Sequence, residues 1–331
     1  MMAIFGRSPA AAGEGGISKG WIAGILAVAL ILPHFLPVYY LQLVDLFLIG
    51  ALFALSFNLL YGYMGLLSFG HAAFFGVGAY GVALLMKKVG LHYFICLPLS
   101  LVITALIALI IGYFCARVSE WFFSILTLAF GQLLFVVASK WYSLTSGDDG
   151  IQSVFPPAII SGHISYYYFT LIMVALGAAL LWRIVNSPFG YTLRCLRDNR
   201  EKSESIRINV RQYQWMGFVV AGIFAGFAGG LFVTFNWAIA PTELEWTKSA
   251  EPVIMTLLGG QFVFFGPVVG SAIFTFLQFV VGKKTLYWAL VMGVVLLVAV
   301  RFLPGGVCGF IEERWAARKR NKNAGAKQPS A

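Results

Sequence analysis

The sequence predicts an all-α polytopic membrane protein with about ten transmembrane helices, some of them short or broken. Three observations lead there. Of 331 residues, 60% are hydrophobic and only 11% charged, with a mean hydropathy of +0.85, whereas soluble globular domains carry about 25% charged residues. The few charges leave long uncharged intervals at residues 20–44, 46–86, 89–116, 121–139, 150–182, 212–242, 252–282 and 285–300. A membrane-crossing helix needs about 20 such residues, so several intervals hold two segments. The runs do not alternate apolar with polar residues, which excludes the strands of a membrane β-barrel.

Each element follows from where these intervals are interrupted. Residues 1–20 carry Arg7 and Lys19 and form a cytoplasmic N-terminal segment. The apolar run at 21–36 could pass for a signal peptide, but no small-residue cleavage site precedes the next run, so it reads as a retained first helix. Further spans are expected at 38–60, 66–86, 93–117, 121–140, 165–185, 213–237, 250–260, 267–282 and 285–303. The transmembrane domain thus covers 21–303, with a cytoplasmic segment at 186–211, a periplasmic loop at 141–164 and a basic cytoplasmic tail at 304–331.

The interval 252–282 decides the count, being too long for one span and short for two. Gly259, Gly260, Gly266 and Pro267 break it. Read as two crossings, it puts 17 of the 23 basic residues on the inside, as positive-inside bias requires. The outside set is Lys87, Lys88, Lys140, Lys248, Lys283 and Lys284. A broken helix persists in a membrane only where protein or a water-filled cavity surrounds its freed backbone groups, so this pair is either buried or pore-lining.

Glycines organise the rest. Gly222-x-x-x-Gly226-x-x-x-Gly230 and Gly266-x-x-x-Gly270 set small residues on one helix face, which lets neighbouring helices approach closely. Gly62, Gly65, Gly70, Gly76, Gly78 and Gly81 crowd one stretch. It reads as an irregular turn around 62–70 followed by a tightly packed helix.

Several function classes drop out. The net charge of +10 sits in loops beside apolar spans, where topology explains it better than nucleic-acid binding. Cys96, Cys115, Cys195 and Cys308 have neither disulfide-framework nor metal spacing. His34, His71, His92 and His163 are scattered, and no HExxH or GxSxG occurs, so no catalytic or metal constellation is expected. Without GxxxxGK[ST], the chain has no loop of its own to cradle ATP phosphates.

The most structured soluble element is 186–211. Ser187 before Pro188 is a helix start, serine as N-cap and proline at the first helical position. Asp198-x-x-Glu201 has capping-box spacing, predicting a short helix over about 199–207. Two capped helices, with seven basic and three acidic residues over 183–211, exceed what a connection requires and point to a docking surface for a cytoplasmic partner. On the opposite face, Asp148 and Asp149 lie in a glycine-bounded turn that suits either an Asx-type turn or a cation. Asp45, Asn58, Gln132, Gln261 and Gln278 should face the bundle interior or a cavity, with Asp45 close enough to the surface to stay hydrated.

The stretch Tyr61-Gly-Tyr-Met-Gly-Leu-Leu-Ser-Phe-Gly-His-Ala-Ala-Phe-Phe-Gly-Val-Gly-Ala-Tyr80 resembles the hallmark segment of LivM-type permeases, the membrane subunits of branched-chain amino-acid ABC importers. Three further blocks agree: Ile125-Leu-Thr-Leu-Ala-Phe-Gly-Gln132 with residues 145–151; Ser187-Pro-Phe-Gly190 through Arg194-x-x-Arg197-Asp-Asn199; and Leu258-Gly-Gly260 with Phe265-Gly-Pro-Val-Val-Gly270. The closing Phe302-Leu-Pro-Gly-Gly306 also fits. Ser68-Phe-Gly-His-Ala72 stands where urea permeases have Ser-Leu-Gly-His-Gly, which favours the amino-acid branch. Ser146 replaces a glycine common in the Thr-Gly-Gly-Asp-Asp-Gly version.

This resemblance implies a multi-pass protein of the bacterial inner membrane that is not itself an enzyme and binds no cofactor. Its partners would be a second, LivH-type permease, two cytoplasmic ATPase subunits that use ATP and Mg, and a periplasmic substrate-binding protein. Segment 186–211 would hold the coupling helix, with Arg194, Arg197, Asp198, Asn199, Glu201 and Glu204 meeting an ATPase. Asn58, Ser68, His71, Thr127 and Gln132 are candidates for the translocation path. The same fold also serves permeases for urea, amides or aromatic acids. A self-sufficient ion-driven carrier is the rival class, and it would need an intramembrane ionisable relay, for which Asp45 is the only candidate.

Overall fold

The computed structural model describes residues 30, 32–284, 287–302, 305–310 and 314. The N-terminal segment, most of the first span and most of the basic tail lie outside the described residues. Six described helices are long and apolar enough to cross a membrane. They are α1 (Val38–Asn58, prolonged by a π turn at Leu59–Tyr63), α2 (His71–Leu84, prolonged by a π turn at Leu85–Val89), α3 (Tyr93–Cys115), α4 (Glu120–Lys140), α5 (His163–Val185) and α8 (Val210–Asn236). Between α5 and α8 lie the short helices α6 (Pro188–Asp198) and α7 (Arg200–Ser205). Three shorter helices follow: α9 (Trp246–Gly259), α10 (Gly266–Gly282) and α11 (Trp288–Phe302). The chain is thus an all-α polytopic membrane protein.

Helix α8 is the central post, packed on α1, α2 and α3. Its glycine row explains why. A Cβ at Gly229 would run into the Phe75 carbonyl of α2, one at Gly78 of α2 into the Gly226 backbone, and one at Gly230 would press on Leu97 of α3. Backbone-to-backbone contact of this kind is how helices associate where lipid removes the hydrophobic drive. By contrast α3 and α4 leave most of their apolar surface open, as with Ile110, Trp121 and Ile125, the composition that lipid or another apolar span covers.

Two expectations need correcting. The span read from residue 66 begins at His71, because Gly65 takes φ +75° and Gly70 lies against the Thr127 carbonyl of α4, so the backbone there is extended rather than helical. The second helix of segment 186–211 is capped by Asn199, whose Oδ1 accepts from Lys202 N at 2.9 Å, and not by Asp198. The first cap stands as read: Ser187 accepts from Gly190 N, with Pro188 at the first helical position.

The broken pair is the other distinctive feature. At 14 residues and about 1.5 Å per residue, α9 is about 21 Å long, short of the ~30 Å hydrocarbon core. One side of its first turn packs on α2: the preceding Leu244 contacts Gly76, and Ser249 Oγ accepts from Ala72 N at 3.0 Å, while Trp246 is half exposed. At the far end Gly260 (φ +115°) turns the chain into α10, and the Gly259, Gly266 and Gly270 backbones touch. In the loops after α4 and α8, β1 (Ile151–Gln152) pairs antiparallel with β2 (Ala238–Ile239), Ile151 opposite Ile239.

Candidate functional site

Helices α6 and α7 are anchored rather than loosely tethered. Leu193 and Leu196 of α6 are buried, facing α8 and α5, while Tyr191, Cys195 and Ile206 stay exposed. Arg197 crosses the interface. Its Nη1 donates to the Gly62 carbonyl at 2.5 Å, its Nη2 and Nε donate to Asp198 Oδ1 at 2.9 and 3.1 Å, and its guanidinium lies 5.3 Å from the Phe262 ring. One side chain therefore touches the junction before α2 and the turn after α9.

The other residues of this segment divide by direction. Arg194 turns inward, over the rings of Tyr63 and Tyr191, and its Nη2 donates to the Val185 carbonyl at 3.4 Å. Asp198, Asn199, Glu201 and Glu204 are exposed, with Glu204 pairing Arg200 at 3.3 Å. The segment thus has an exposed face of mixed charge, with Asp198, Glu201 and Glu204 beside Lys202 and Arg207, and turns Arg194 and Arg197 inward.

Beneath Arg197 lies a seam of buried polar groups around the break at 59–70. His71 is fully buried; its Nε2 lies 2.9 Å from Ser56 Oγ, which in turn donates to the Phe53 carbonyl at 2.7 Å. The His71 ring stacks on Phe53, its Nδ1 left without a hydrogen bond. Both polar atoms of Asn58 and the Ser68 hydroxyl are also buried without partners. A Cβ at Gly62 would strike Asn58 Oδ1 and the Gln261 carbonyl, so the amide sits where the two broken junctions meet. Leaving such a group unpaired costs about 1–3 kcal/mol, which marks this seam as built for something besides static stability.

The remaining path candidates fall nearby or apart. Thr127 is buried against Gly70 but satisfies itself on the Ser124 carbonyl at 2.9 Å, while Ser124 Oγ donates to the Leu67 carbonyl at 2.6 Å. Gln132 is half-buried one residue beyond Gly131, itself in contact with Gly70. Asp148 and Asp149 are exposed in a turn whose Ser146, Gly147 and Gly150 all have positive φ; Ser146, at φ 64°, holds a conformation that glycine adopts more easily. Asp45 is not hydrated at the surface as expected: it is 3% exposed and borders a small cavity with Gln42, His163, Tyr166 and Thr234.

One cluster escaped the sequence reading. Lys248, expected on the outer surface, is folded into the bundle, with Nζ 2.8 Å from Glu251 Oε2 and 3.3 Å from Glu243 Oε2. It lies within 6 Å of the Phe75 and Phe232 rings. The available signal was the bunching of Glu243, Glu245, Lys248 and Glu251 between two uncharged intervals, with 248 and 251 one helical turn apart.

Comparison with known proteins fits this architecture. The chain is 23% identical over 326 residues to the high-affinity branched-chain amino acid transport system permease protein LivM of Escherichia coli K12, covering 90% of this chain and 77% of that one. It is 22% identical to LivM of Salmonella typhimurium over the same shares. It is also 24% identical over 286 residues to the "probable branched-chain amino acid transport permease protein LivH" of Methanocaldococcus jannaschii, 78% of this chain and 88% of that one. No solved structure matches the chain. Residues 39–300 match the family model for the permease component of branched-chain amino acid transport systems, and with that match running from α1 through α11 the chain belongs to this family.

Proposed function

We propose that the chain is the LivM-type permease subunit of an ATP-driven importer in the inner membrane, moving branched-chain or related small hydrophobic amino acids. In this reading it pairs with a LivH-type permease, receives solute from a periplasmic binding protein, and docks on two cytoplasmic ATPase subunits that hydrolyse ATP with Mg. The observation that carries it is Arg197. The exposed face of α6 and α7 offers Asp198, Asn199, Glu201 and Glu204 to an ATPase. Arg197, on the same element, grips the Gly62 carbonyl and the Phe262 ring.

Closure of an ATPase dimer would displace α6, and Arg197 would carry that displacement to both broken junctions. From Gly62 it reaches the extended stretch 65–70 and the start of α2. From Phe262 it reaches α9, whose Ser249 satisfies an N–H at the first turn of α2 that would otherwise lack a partner. The two short elements then shift as bodies between inward and outward openings.

The test is uptake in proteoliposomes holding the full importer. Replacing Asp198 and Glu201 together by alanine should weaken ATPase docking, so that uptake and stimulated ATP hydrolysis fall together. Replacing Arg197 by alanine should leave docking intact yet cut uptake per ATP at least fivefold. Undiminished uptake in both variants would refute the coupling role.

A further inference from the structure

The ion cluster at the start of α9 has no part in the coupling described above. The geometry points to Glu243, Lys248, Glu251 and Tyr80 as a subsite that binds the charged head of an α-amino acid during passage. This rests on the reading of the chain as an amino-acid permease.

Charge is the first argument. Two carboxylates face one ammonium, a formal excess of one acidic group over basic ones at this place. Burying such groups is expensive, and well-packed apolar residues of similar volume are often neutral or more stable in their place. Ionisable side chains kept within a membrane domain mark solute or ion pathways by default. Access is the second. Lys248 and Glu243 each keep 21% of their side-chain surface open and Glu251 keeps 17%, so the cluster can be reached without unfolding the bundle.

Unused bonding capacity is the third. The Tyr80 hydroxyl belongs to a side chain 5% exposed and has no hydrogen-bond partner, and it lies within electrostatic reach of Glu243 and Asp148. The N-cap residue of α9, Glu245, makes no side-chain cap hydrogen bond, and a helix N-terminus favours negative charge.

A zwitterion fits all of these at once. Its ammonium replaces part of Lys248's hold on Glu243, matching the uncompensated carboxylate. Its carboxylate meets Lys248, the Tyr80 hydroxyl and the first N–H groups of α9. The buried rings of Phe75 and Phe232 lie beside Lys248 and keep the bundle side of the cluster apolar. Because the solute adds no net charge, it can leave as readily as it enters.

The experiment uses the complete importer in liposomes, with leucine as the probe, and measures leucine taken up per ATP hydrolysed alongside the melting temperature of the complex. Glu251→Gln and Lys248→Met should cut that ratio at least tenfold while ATP hydrolysis stimulated by the loaded binding protein stays within twofold of wild type. Tyr80→Phe, which removes one hydroxyl and nothing else, should raise the half-saturating leucine–binding-protein concentration several-fold at unchanged melting temperature. An unchanged ratio in all three variants overturns the subsite. So does a parallel fall of uptake, ATP hydrolysis and melting temperature, the signature of a cluster that only braces α9. If Glu251→Gln and Lys248→Met fail to assemble, Tyr80→Phe decides alone. A wild-type importer that hydrolyses ATP but moves no leucine overturns the functional reading itself.

Discussion

Arg197 shows how much one side chain can join. It reaches a carbonyl 135 residues away in sequence, and its planar fork lets it bond Gly62 and Asp198 at once while lying against Phe262. Lysine keeps the charge but not that geometry, so Arg197→Lys should behave like the alanine variant, with uptake per ATP reduced about fivefold and assembly preserved; wild-type ratios would show that charge alone suffices. Sequence marked Arg197 by its place in a motif as an ATPase-coupling residue; that its side chain also bonds the Gly62 carbonyl was not legible. The side chain's orientation is set by Gly65, whose missing Cβ leaves room for the arginine stem. The packing of Lys248 was not legible for a related reason: its partners are local, but its burial depends on Phe75 and Phe232 from distant helices.

At the scale of elements, local chemistry was largely legible. Ser187 and Pro188 start α6 as their types require, and Ser187→Ala should cost about 1 kcal/mol of helix stability, read as faster amide hydrogen exchange over 190–194. Faster exchange confined elsewhere would argue against the cap. The shift of the second cap from Asp198 to Asn199 was not legible, because Asp198 is drawn off by Arg197 and the choice between two adjacent cap formers is made by that pairing. The glycine rows were read correctly as packing surfaces. Gly229→Ala would place a methyl into the Phe75 carbonyl and should destabilise the α2–α8 contact by about 1–3 kcal/mol, seen as a lower melting temperature in detergent. Gly282→Ala, where nothing lies within 4 Å, serves as the control and should leave it unchanged.

For the whole molecule, the positive-inside count predicts which ends of the bundle face the cytoplasm, and Cys195 tests it. Cys195 is exposed on α6 while Cys96 and Cys115 are buried. A membrane-impermeant maleimide should therefore label Cys195 in inside-out vesicles and not in right-side-out ones, with Cys195→Ser as the control; added ATPase subunits should protect it. Labelling from the outside would invert the topology. The sequence by itself determined the class, the positions of the long spans, the glycine faces and the capped helix start of segment 186–211, because hydropathy, caps and small-residue spacing act over one or two turns of chain. Only the tertiary structure decided that the first turn of α9 packs on α2 through Ser249, that Lys248 sits between two glutamates, and that Arg197 reaches inward to bridge two breaks. Those outcomes depend on which distant backbones approach each other closely enough to exclude lipid and water, and no local pattern encodes that choice.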